Sequence, residues 1–146
     1  MVSRFLIAVG VFVLLKKEEK ILLQHRKNCS FSGCWGLVGG HLEANETIRQ
    51  AAVRELKEEI GITVQVEDLT LKTLCHSFAD QKAYLQFYFL CEKWTGTPQN
   101  KEPDKCDQLV FFRLKSCLNQ KCHTWKKFFG ISNTTSCLMR IFDKIF

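Results

Sequence analysis

Prolines are scarce in this chain. Both of them, Pro98 and Pro103, fall in one polar stretch, residues 95–105, which reads as a loop between regular elements. No run of five or more like charges is present, so no charged tail is expected. There is no internal repeat and no low-complexity tract, which argues against a solenoid or a linker. The apolar run at residues 5–15 has eleven residues, where a helix needs about 20 to cross a bilayer. It follows Arg4 as the apolar part of a signal peptide would. No small-residue cleavage site comes after it, however; Lys16-Lys17-Glu18-Glu19-Lys20 does. Ile7, Val9, Val11, Phe12 and Val13 make it a buried strand instead, and no membrane partner is expected.

Cys-x-x-Cys pairs are absent too. The eight cysteines stand at 29, 34, 75, 91, 106, 117, 122 and 137, and Cys117, Cys122 and His123 lack a zinc-knuckle spacing. Cys75 and Cys91 lie inside apolar strand-like runs, where a free cysteine behaves as a small buried hydrophobe. Free thiols in a reducing cytosol are expected, hence a cytoplasmic location. The 46% hydrophobic and 25% charged residues are ordinary for one globular domain over residues 1–146. A net charge of +6 suits an anionic small molecule such as a polyphosphate, without requiring nucleic acid.

What is present begins with alternation. Residues 4–16 read as a strand, Lys17-Glu18-Glu19-Lys20 as a charged turn and residues 21–26 as the hairpin partner. A loop over 27–36 follows, and Gly39-Gly40 permits a backbone turn that a Cβ would block. A helix is expected from an Asn45 N-cap to about Ile60, with Ile48, Ala51, Ala52 and Leu56 as its apolar stripe and Gly61 ending it. Strands are expected near 62–66, 69–77, 83–93 and 107–114, with a last helix over about 134–145. Strands mixed with two helices imply an α/β chain, a mixed sheet sandwiched between helices.

Within the first helix, Glu55, Glu58 and Glu59 stand at i, i+3 and i+4, which places three carboxylates on one face. Like charges so placed repel unless a cation lies among them. Lys57 would moderate this on a plain solvated helix, and hard oxygen ligands of this kind also suit Mg²⁺. The surrounding residues bear on this choice. Gly40, Glu46, Arg54, Glu55, Leu56, Glu58, Glu59, Gly61 and Ile62 fill all nine fixed positions of a 23-residue pattern. This pattern resembles the signature of the Nudix hydrolases.

The resemblance implies a Nudix fold, an α/β/α sandwich, and an enzyme that splits phosphoanhydrides. It implies Mg²⁺, with Mn²⁺ as a substitute, held by Glu55, Glu58, Glu59 and the carbonyl of Gly40. Glu55 is either a ligand or the base that activates water. Arg54 and Glu46, two turns apart, would serve structure, the arginine orienting a box glutamate. A further acidic ligand is expected among Glu92, Glu102, Asp104 and Asp107.

Gly39-Gly40-His41-Leu42-Glu43 and the run Lys101-Glu102-Pro103-Asp104-Lys105-Cys106 are similar to one MutT-type branch, the nucleoside-triphosphate diphosphatases. That likeness extends from about residue 5 to 114. It implies cleavage of a (d)NTP, oxidised or otherwise modified bases included, to the monophosphate and pyrophosphate. Arg26 and Lys27 are candidates for terminal phosphates and His41 for a contact near them. Trp35, Phe87, Phe111 and Phe112 are candidates for stacking on a base. The alternatives are a hydrolase for another nucleoside diphosphate derivative (nucleotide sugar, dinucleoside polyphosphate, capped RNA) and a non-catalytic Nudix-fold sensor. The intact glutamate set argues against the sensor. Relatives often form homodimers, so a second copy is a partner to test.

Overall fold

A computed structural model describes residues 5–29, 32–79 and 81–113. The first strand, β1 (Ala8–Lys17), turns through Glu18 and Glu19 into β2 (Lys20–Arg26), with Lys17 opposite Lys20. Glu18 adopts a φ of 56° in this tight turn. Two short strands follow, β3 (Trp35–Gly36) and β4 (Val38–His41), then the helix α1 (Ile48–Ile60). A 3₁₀ turn (Val66–Asp68) leads into β5 (Leu69–Ala79), β6 (Lys82–Cys91) and β7 (Cys106–Arg113).

The strands lie in the order β3-β2-β1-β6-β5, with β4 against β1 and β7 against β2. β1 runs parallel to β6, from Ala8 beside Tyr84 to Leu15 beside Cys91, and every other pairing is antiparallel. The sheet is therefore mixed, as expected. Both faces of β1 are buried. Val11, Val13 and Leu15 join Phe89, Val38 and the α1 residues Ala51, Ala52, Leu56 and Ile60 in one core. Leu14 joins Ile21, Leu23, Leu37, Cys75, Tyr88 and Leu90 in another. Strand alternation sends successive residues to opposite faces, which is how one apolar run serves two cores.

Three sequence expectations are corrected. The N-cap is Thr47, not Asn45: the Thr47 hydroxyl accepts from Gln50 N, and the Gln50 side chain accepts from Thr47 N. Asn45 instead takes a φ of 66° in the preceding turn. Residues 62–66 form no ladder, only a single bridge between Thr63 and Thr95. Ile62 and Val64 are buried there, so their alternation reports burial without strand pairing. Residues 5–7 precede β1, which begins at Ala8. The helix expected over 134–145 lies outside the described residues. The five described cysteines, Cys29, Cys34, Cys75, Cys91 and Cys106, are free thiols. No helix among the described residues is long and apolar enough to cross a membrane.

Candidate active site

Helix α1 presents its glutamates at its C-terminal half, beside the backbone of β4. Gly61 ends the helix in the left-handed conformation, φ 72°, and its N–H caps the Lys57 carbonyl. The 95–105 loop closes the remaining end, with Gln99 N donating to Ile60 O and Lys101 N to Glu59 O, both at 2.9 Å. Carboxylates near a helix C-terminus meet the negative end of its dipole, so the site carries negative potential that calls for a cation.

One cation among the glutamates belongs to the protein itself, and it is Arg54 rather than the exposed Lys57. Glu46 lies before the helix, not two turns along it, and its carboxylate still receives Arg54 Nη2 at 2.7 Å and Nε at 3.1 Å. Arg54 Nη1 donates to Glu55 at 2.9 Å and to Glu58 at 3.2 Å, while Nη2 also reaches the His41 carbonyl at 3.0 Å. The planar fork thus fixes the carboxylates of two neighbouring turns together with the end of β4. Glu46 hydrogen-bonded to this guanidinium has its pKa lowered, and Arg54 is held firmly protonated, by Glu46 above all.

Glu55 and Glu59 behave in the opposite way. Burial raises the pKa of Glu55, against the opposing pull of Arg54. Burial raises that of Glu59 to about 7, although Gly39 N and the Gln24 amide donate to its carboxylate. Gly39 N lies 2.9 Å and Gln24 Nε2 3.2 Å from Glu59 Oε2. Glu58 is the open member, with just over half of its side chain exposed.

The two glycines of β4 make this close approach feasible. A Cβ on Gly39 would fall 2.0 Å from the Val11 carbonyl, and one on Gly40 would fall 2.3 Å from Glu55 Oε1. Glycine at both positions leaves the β4 backbone and the Glu55 carboxylate side by side. Among the described residues no three acidic, His or Cys side chains converge into a ready metal cage; the glutamate oxygens are turned towards Arg54, Gly39 and Gln24. The donor set nonetheless fits a hard divalent cation: carboxylate oxygens and a backbone carbonyl in a glycine-floored cradle.

The four acids that could add to this set separate clearly. Glu102 is near enough to raise the pKa of both Glu55 and Glu59, and it pairs with Lys105 at 2.8 Å. Glu92 is held by Lys16 at 2.9 Å and Asp107 by His25 at 2.7 Å. Asp104 is exposed, and its carbonyl accepts from Asn28.

The expected substrate contacts are scattered. Arg26 lies two residues along β2 from Gln24, its arm across Gly36, and its buried Nε has no hydrogen-bond partner among the described residues. Lys27 N donates to the Lys105 carbonyl, tying the end of β2 to the loop that carries Glu102. His41 contacts Arg54 through its carbonyl, and the residue is exposed. Phe87 and Phe111 pack on the core closed by α1, Phe111 stacked on Trp94 at 6.4 Å. Trp35 and Phe112 pack on the other core, edge to face at 4.7 Å. The four aromatics therefore do not gather at one place. Gln24 did not stand out in the sequence. A polar residue in the run Ile-Leu-Leu-Gln-His-Arg was the only available signal for Gln24.

Comparison with known proteins bears on the family and the fold. The NUDIX domain model matches residues 4–128. The chain is 48% identical over 62 residues to an ADP-ribose pyrophosphatase of Methanocaldococcus jannaschii, covering 42% of this chain and 37% of that protein. It is 38% identical over 96 residues to an 8-oxo-dGTP diphosphatase of Proteus vulgaris, covering 66% of this chain and 83% of the relative. The crystal structure of a MutT NUDIX hydrolase from Burkholderia pseudomallei superposes with a TM-score of 0.71 at 30% identity, covering 75% of this chain and 85% of that one.

Proposed function

The chain belongs to the Nudix family, and from that premise we propose that it is a divalent-cation-dependent diphosphatase of nucleoside triphosphates, modified bases included. The observation that carries the reading is the set of acids from two elements: on α1, Glu55 against Gly40 and Glu59 against Gly39, with Glu102 of the 95–105 loop near enough to act on both. Glu55, Glu58, Glu59 and the Gly40 carbonyl, with Glu102, are the groups that would hold Mg²⁺, or Mn²⁺ in its place. When bound, the cation would neutralise phosphate charge and acidify a water.

The remaining chemistry belongs to the side chains. Arg54 fixes Glu55 and Glu58, so neither carboxylate has to be ordered when substrate arrives. Burial raises the pKa of Glu55, which makes its carboxylate a better proton acceptor for the attacking water; it can serve as that base or as a ligand. Arg26 and Lys27 are the cationic arms offered to terminal phosphates, with His41 at the exposed rim of β4. Phe111, on the face that α1 covers, suits the base better than Trp35, which packs on the opposite face.

A second reading rests on the M. jannaschii relative, named an ADP-ribose pyrophosphatase: a nucleoside diphosphate derivative would then be the substrate. Both readings require the glutamates. Glu58→Gln keeps the volume and removes the charge, and is expected to lower Mg²⁺-dependent phosphoanhydride hydrolysis by about a hundredfold or more. Undiminished hydrolysis by purified Glu58→Gln protein would remove the carboxylate site from the reaction.

A further inference from the structure

Gln24 is buried, 6% exposed, on a strand whose neighbours Leu22 and Leu23 fill the two cores. A buried amide must find partners, and this one finds two acceptors. Its Nε2 donates to the Leu37 carbonyl and to Glu59 Oε2, each at 3.2 Å. A backbone carbonyl only accepts, so the amide orientation is fixed and both of its hydrogens are committed. Gly39 N donates to the same oxygen, Oε2, at 2.9 Å. Two N–H groups, from β2 and β4, thus converge on one oxygen of Glu59, and neither reaches Oε1.

The geometry points to Gln24 as a positioning residue that, with Gly39 N–H, occupies Oε2 of Glu59 and leaves Oε1 as the oxygen offered to a divalent cation. The inference rests on the reading above that Glu59 is a cation ligand, and adds to it a residue 35 positions away that touches neither cation nor substrate. Gly39 is itself held in the ladder between β4 and β1, opposite Phe12 and with no room for a Cβ. Gln24 therefore works against a rigid floor. Without it, Glu59 keeps one donor, can rotate, and offers either oxygen. Groups that orient metal ligands typically alter affinity by about 10–100-fold when removed.

The test is Mn²⁺ binding to the full chain, followed by electron paramagnetic resonance, with folding checked by circular dichroism. Gln24→Met keeps the length and removes the donor; Gln24→Asn keeps a polar group but shortens its reach, and serves if the methionine variant does not fold. Both are expected to bind Mn²⁺ about tenfold more weakly or worse. Arg49→Met is the stability control, because Arg49 ties α1 to the carbonyls of Val66 and Leu69, away from the glutamates. It should lower Tm and leave Mn²⁺ affinity unchanged. Wild-type affinity in a folded Gln24 variant, with Glu59→Gln impaired, overturns the role of Gln24 alone. Equal binding by wild type and Glu59→Gln overturns the ligand reading as well.

Discussion

Glu59 keeps its proton to about pH 7 because burial penalises its charge more than Gly39 and Gln24 compensate. Its folded-state pKa lies above the ordinary 4.5, so its contribution to stability is complete below about pH 4.5 and is lost as pH rises towards 7. A shift of that size corresponds to on the order of 3 kcal/mol. In EDTA, the urea midpoint of the wild type should fall between pH 4.5 and 7 relative to Glu59→Gln, whose amide oxygen can still accept both donors. Parallel pH profiles for the two proteins would mean that no buried charge is being forced on the fold. Arg54→Lys makes a different point. A lysine cannot reproduce the fork to Glu46, Glu55 and Glu58, so kcat should fall about 10–100-fold with KM little changed. A rise in KM at constant kcat would place Arg54 on the substrate instead. The carboxylate trio was legible from helical spacing, and Arg54 from the resemblance to the Nudix signature. Gln24 was not, since only the tertiary fold, with α1 packed on β4 and β1, brings position 24 to position 59.

At the scale of elements, the end of α1 was easier to read than its beginning. Gly61 is the one residue there suited to a left-handed cap, whereas Asn45 and Thr47 are both good N-cap types. The choice fell to Thr47 through its reciprocal bonds with Gln50. Thr47→Ala should therefore cost about 1 kcal/mol in thermal unfolding, and Asn45→Gly little, because glycine accepts the positive φ found there. A larger loss at position 45 than at 47 would move the cap back to Asn45. The 95–105 loop shows what a sequence leaves out. Its prolines and polar residues announced a loop, but its path across the end of α1, through Gln99 and Lys101, is what brings Glu102 near Glu59.

For the whole molecule, the alternation of strands with one strongly patterned helix, together with the complete box, was enough to reach the α/β class and the family. The parallel pairing of β1 with β6 was not foreseeable, because the two strands are far apart in the chain and each looks like any buried apolar run. That pairing puts β1 at the centre, with α1 packed on one of its faces and the glycines of β4 paired beside it in the sheet. The site is thus built where the fold is best anchored. The most direct test of the proposed activity is pyrophosphate release from a panel of normal and oxidised (d)NTPs with Mg²⁺, run beside nucleotide sugars and ADP-ribose, with Glu58→Gln as control. The account predicts monophosphate and pyrophosphate from one or more triphosphates, abolished in the variant. Cleavage confined to the diphosphate derivatives, or triphosphate turnover that survives Glu58→Gln, would contradict it.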